Sequence, residues 1–196
     1  RLVCGGECIF IVVNDRWVFS RGSNSDGQLG VGVPESQYEF QSTRFEELMM
    51  KQWSSDNIES TSGEETVVMG KTNHGNENEN ENDGKIMRPL PRITHMSAGH
   101  YHTCIVVDHR HMYMTGFNAC GQLGIESNES QQAFTRVSRL DHLLHHELGE
   151  LIRDVQLGGA HSVLLTSWGR VFTVGWNTSG ELGIGNTTSQ SHWRQI

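Results

Sequence analysis

The sequence predicts an all-β chain made of three copies of one supersecondary unit and interrupted by a single acidic insertion. Two observations carry this. Four glycines recur in register: Gly5, Gly22, Gly27 and Gly30 are separated by 17, 5 and 3 positions, and the same separations relate Gly99, Gly116, Gly121 and Gly124, and again Gly158, Gly175, Gly180 and Gly183. Between them the same residue types return: Asn24, Asn118 and Asn177 after the second glycine, Leu29, Leu123 and Leu182 before the last, and an aromatic at Phe19, Tyr113 and Phe172. Self-similarity at this period marks a small unit copied side by side, each copy relying on its neighbours to cover apolar surface.

Within a copy the elements follow in order. Residues 103–108 and 162–166 are short β-rich runs. A tight turn follows, Asn14-Asp15 in the first copy and Trp168-Gly169 in the third, and the chain returns through 112–115 or 171–174, which predicts a hairpin. Residues 118–124 read NACGQLG, with glycines at tight-turn spacing where the missing Cβ permits positive φ or close backbone approach. The three asparagines can bond local backbone and hold that turn. All of these glycines, asparagines and leucines are therefore expected to build the fold and to do no chemistry. The repeats divide the chain into a first repeat over 1–53, an insertion over 54–85, a second repeat over 86–140, a short helical connection over 141–155, and a third repeat with the start of the next over 156–196.

The insertion is visible in the spacing. From Gly22 to Gly116 is 94 positions, whereas Gly116 to Gly175 is 59. Residues 54–85 carry eight acidic and two basic side chains, including the run NENENEND at 76–83, so most of the chain's net charge of -8 belongs to this segment. With few apolar anchors it cannot repay its ordering entropy and is expected to be disordered. It lacks the glycine turn and terminal glutamate of a calcium loop. Ser62, followed by Glu64 and Glu65, has the setting of an acid-directed phosphosite, although a solvated linker serine is the preferred reading.

The connection DHLLHHELGELI at 141–152 predicts a short helix capped by Asp141, with Leu144, Leu148 and Leu151 on one face and His142, His146 and Glu150 on another. The stretch from His146 to Glu150 approaches the zinc-protease HExxH pattern, but Glu150 stands where the second imidazole is required. A solvated polar face is therefore expected, with a metal-dependent enzyme the lesser alternative. No serine, cysteine or lysine nucleophile has a motif pairing it with a base. His102 and His161 recur between copies and are read as making a structural bond between strands. No catalytic residue, cofactor or metal is assigned.

The acidic balance argues against a general nucleic-acid or anionic-membrane binder. The longest apolar run, Cys8–Val13, is six residues, well below the roughly 18 of a membrane helix. Cys4, Cys8, Cys104 and Cys120 have neither disulfide-scaffold nor zinc spacing, so reduced thiols in a cytoplasmic or nuclear setting are expected. The chain starts at Arg1, as an excised or processed piece of a longer protein would. The sequons at Asn128, Asn177 and Asn186 are expected to be silent.

The segments GQLG at 27–30, GQLG at 121–124 and GELG at 180–183, with the G-x-x-H-[TS] openings that hold His102 and His161, resemble the regulator of chromosome condensation repeat family. The resemblance implies β-propeller blades of four strands, about three of a seven-bladed ring. Cys8 replaces the histidine in the first copy, so that blade departs from the pattern. The resemblance further implies a protein-interaction propeller, with guanine-nucleotide exchange on a small GTPase such as Ran as its specific form. The alternative is a regulatory propeller within a larger protein such as a ubiquitin ligase or kinase. Ultraviolet-sensing members stack tryptophans in a repeated motif. Here Trp17 and Trp168 differ in register and the third G-x-x-H opening has none, so light sensing is not expected.

Overall fold

A computed structural model describes residues 1–58 and 89–196. Three four-stranded antiparallel sheets follow one another along the chain, each in simple sequential order. The first comprises β1 (Leu2–Cys4), β2 (Cys8–Val13), β3 (Trp17–Gly22) and β4 (Gln37–Ser42); the second β5 (Ile93–Ala98), β6 (His102–Val107), β7 (His111–Gly116) and β8 (Gln131–Arg136); the third β9 (Ile152–Leu157), β10 (His161–Thr166), β11 (Val171–Gly175) and β12 (Gln190–Gln195). These are three propeller blades.

The glycine register becomes a strand register. Cys8 pairs with Gly22, His102 with Gly116 and His161 with Gly175, and each of these glycines then pairs with Gln37, Gln131 or Gln190 across the same irregularity. The three glycines sit at φ +122°, +107° and +112°, where an added Cβ would come within 2.5 Å of the carbonyl oxygen of Glu7, Tyr101 or Ala160. Only glycine lets the third strand bend this close to the second.

Strand burial shows how the blades stack. Successive β side chains point to opposite faces, so a strand covered on one face alternates. β2 and β10 do alternate, whereas all six residues of β6 are buried. Ile105 and Val107 enter a core shared with Phe10, Val12, Leu29 and Phe134, while Cys104 and Val106 enter another with Leu123, Leu164, Phe172 and Trp193. The middle blade is thus packed on both sides.

Among the described residues two α-helices lie in the connections, and both correct the sequence reading. α1 (Phe45–Ile58) runs past the expected insertion boundary at 54, because Phe45 and Met49, one turn apart, are buried in the core between the first two blades. Phe45 meets Tyr113 and Phe134 edge-to-face at 5.1 Å, and the Thr43 hydroxyl accepts the Phe45 amide at 3.3 Å. The rest of the segment expected to be disordered, and Ser62 with it, lies outside the described residues. α2 (Ser138–Leu143) begins three residues before Asp141, which sits in its first turn instead of capping it. Leu144 already has extended backbone, and a 3-10 turn, His146–Leu148, follows. Leu140 and Leu144 are buried while Leu148 is 68% exposed, so the expected leucine face does not form.

Candidate functional site

The recurring side chains do the same work in each blade. Asn118 Oδ1 accepts the Leu123 amide at 3.0 Å, its Nδ2 donates to the Ser127 and Glu129 carbonyls, and its own amide donates to Ser130 Oγ. Asn24 repeats this set with Leu29, Val33, Glu35 and Ser36, and Asn177 with Leu182, Asn186, Thr188 and Ser189. All three asparagines are fully buried. One side chain closes the 14-residue loop between the last two strands of its blade.

Other repeat positions join one blade to the next. Thr103 Oγ1 donates to the Gln28 carbonyl at 2.8 Å, and Ser162 Oγ donates to the Gln122 carbonyl at 2.8 Å. Having given its proton away, Ser162 Oγ accepts from His102 Nε2 at 2.9 Å, which puts the imidazole proton on Nε2. The histidine bond therefore runs between blades, a longer reach than the strand-to-strand bond expected. Burial, reinforced by the nearby charge of His161, lowers the His102 pKa to about 3. Gly6 and His100 amides donate to the Gly99 and Gly158 carbonyls of the following blade at 3.0 and 3.3 Å. Cys8 stands at the His102 position, its thiol pushed up to about 11 by burial, and burial raises Cys104 further, so neither is a nucleophile at neutral pH.

A joint that sequence reasoning missed lies at the rim. A Cβ on Gly30 would meet the Phe134 ring at 2.4 Å, and one on Gly124 would meet the Trp193 indole nitrogen at 2.2 Å. Each glycine is the seat for an aromatic from the next blade's last strand. The signal was present: Gln37, Gln131 and Gln190 each follow the last repeat glycine by seven positions, and Phe40, Phe134 and Trp193 each lie three further on.

The suspected metal face is dispersed. His142 is exposed on α2, which ends one residue later, so no i, i+4, i+8 row forms, and His146 Nδ1 pairs with the Glu150 carbonyl at 2.7 Å. Glu150, expected on a solvated face, has no exposed side-chain surface. Its carboxylate is clamped by Arg170 and takes the His145 amide at 2.9 Å, while Arg170 reaches the Leu143 carbonyl at 3.1 Å and lies over Phe172. Burial alone would raise the Glu150 pKa. The bond from Arg170, with that of the His145 amide, overrides it and holds the group at about 2. The pair ties the connection to the third blade. Among the described residues no group of three histidine, cysteine, aspartate or glutamate side chains is arranged to hold a metal ion.

The exposed loops differ between blades. A concavity of about 530 Å³ lies between α1 and the second blade beside Met49, Arg92, His109 and His111. At the opposite ends of the strands, His100, Tyr101 and Phe117 form a ring cluster, with centroids 4.3 and 6.0 Å apart along it. No helix among the described residues is long and apolar enough to cross a membrane.

The described residues thus form stacked four-stranded blades of a propeller. Residues 93–122 match the family model described as the regulator of chromosome condensation (RCC1) repeat. It is 32% identical to the X-linked retinitis pigmentosa GTPase regulator of Canis lupus familiaris over 53% of its length and 10% of that protein. It is 26% identical to the ultraviolet-B receptor of Arabidopsis thaliana over 97% of its length and 44% of that protein. It superposes on Prp20p from Saccharomyces cerevisiae, studied for its binding to Gsp1p and histones, with a TM-score of 0.65 at 15% identity, covering all of this chain and 37% of Prp20p. The chain thus spans less than half of each.

Proposed function

We propose that the chain is part of a propeller that regulates a small GTPase by non-covalent contact, with guanine-nucleotide release as the activity to look for. The observation that carries this reading is the occupancy of the recurrent polar groups. Asn24, Asn118, Asn177, Thr103, Ser162 and His102 are all engaged in holding blades, which leaves recognition to loop side chains that vary from blade to blade. The glycines and leucines of the repeat are architectural in the same reading. The similarity to a GTPase regulator supports the substrate class. That relative is about ten times longer than the matched segment, which favours as second reading a regulatory propeller inside a larger multidomain protein.

The test is release of fluorescent GDP from a panel of small GTPases by the full-length protein. Accelerated release from one member is expected. Tight binding to a GTPase without any acceleration would move the protein to the second reading.

A further inference from the structure

The loops at one end of the strands carry charge of a single sign. Six loops emerge at the end that carries His100 and Phe117: residues 5–7, 23–36, 99–101, 117–130, 158–160 and 176–189. They hold six carboxylates, Glu7, Asp26, Glu35, Glu126, Glu129 and Glu181, and no lysine or arginine. At the other end the described connections mix both signs, with Arg16, Arg44, Arg92, Arg110, Arg139 and Arg170 among Asp15, Glu46, Glu47, Asp108, Asp141, Glu147 and Glu150. Glu126 is taken up at the rim by Arg139 and His192, at 3.5 and 3.8 Å. Among the described residues the other five have no lysine or arginine within 4.0 Å. Arg21, on the strand beside Glu7, lies against Phe40.

The same end exposes aromatic surface. Tyr101 and Trp176 are each 42% exposed, and the His100 ring lies tilted against Tyr101, which in turn meets Phe117. Phe117 and Trp176 hold equivalent positions, each between the bent glycine and the buried asparagine, with their amides bonded to Tyr101 and Ala160 carbonyls at 2.9 and 2.8 Å. One blade apart, they stand in the same relation to their loops. The first blade has Ser23 there.

Aromatic faces flanked by carboxylates attract guanidinium and ammonium groups, through the ring quadrupole and through charge. The like charge of these loops repels nucleic acid and anionic lipid. We propose that this end of the second and third blades binds a lysine- and arginine-rich segment of a protein partner. The proposal rests on the protein-interaction reading above and names the chemistry of its partner.

The test is fluorescence anisotropy of a labelled octa-arginine peptide with the full-length protein, using octa-glutamate as control. Phe117→Ser with Trp176→Ser should weaken octa-arginine binding about tenfold, and Glu129→Lys with Glu181→Lys should weaken it as much and flatten its salt dependence. Glu47→Lys with Glu147→Lys, at the other end, carries the same charge change and should leave binding within about twofold. Equal losses from both charge reversals, or none from the aromatic pair, would overturn the proposal. Urea midpoints of the variants establish that each is folded. GDP release measured with wild-type protein is a separate readout: release without peptide binding at this face removes the proposal alone, and peptide binding here without release removes only the exchange reading.

Discussion

Replacing Glu150 by glutamine removes a charge and little else. The carboxylate has no exposed surface, whereas its partner Arg170 keeps 22% of its side chain in solvent. In the folded chain the group titrates at about 2, against an ordinary value of 4.5. That difference is worth about 3 kcal/mol at neutral pH, the low end of the roughly 3–5 kcal/mol for breaking a buried pair, as suits a partly exposed guanidinium. The sign follows from the depressed value. The contribution is complete above the unfolded value of 4.5 and disappears as pH falls towards about 2. Urea unfolding of the wild type and Glu150→Gln at pH 7 should differ by about 3 kcal/mol, and at pH 3 by about half as much. Comparing the two proteins at each pH cancels every other titrating group. A difference below about 1 kcal/mol at pH 7, or one that does not change between pH 7 and 3, would show that the pair does not hold the connection to the third blade.

Three further outcomes are expected. Gly124→Ala, at φ +62° with the Trp193 indole 2.2 Å from the new Cβ, should cost at least about 3 kcal/mol, whereas Gly180→Ala, at φ +84° with nothing within 4 Å, should cost only the about 1–2 kcal/mol of left-handed backbone; urea midpoints distinguish them. Asn118→Ala orphans the Leu123 amide and two carbonyls and should destabilise by about 2–4 kcal/mol in the same assay, with smaller effects from alanine at the exposed Asn128 and Glu129. His102 titrates at about 3 when folded and near 6.5 when unfolded, so the unfolded chain binds more protons between these values and stability falls on acidification through that window; His102→Gln, which can still donate to Ser162, should lose that slope in urea titrations from pH 7 to 5.

The parts legible in the sequence were those that local geometry dictates. A glycine forced to φ +107° at Gly116, or an asparagine bonding a loop a few residues away, leaves its mark within one copy, and three copies make the mark readable. The joints were less accessible because their partners lie far off in sequence: Thr103 bonds Gln28 across 75 positions. The rim aromatics did repeat, but the register was followed only as far as the fourth glycine. α1 escaped notice because its buried contact rests on little more than Phe45 and Met49. Glu150 was misplaced because the connection was drawn as one continuous helix. The chain instead leaves α2 at Leu144 and turns the carboxylate inward to Arg170.

The claim that this protein acts by recognition, with its repeat residues spent on holding blades together, is tested most directly by sedimentation of the full-length protein with each member of a small-GTPase panel. The account predicts a stoichiometric complex with at least one member, unchanged by His142→Ala combined with His146→Ala. Absence of any complex, together with stoichiometric zinc and a hydrolytic activity that both vanish in that double variant, would contradict it.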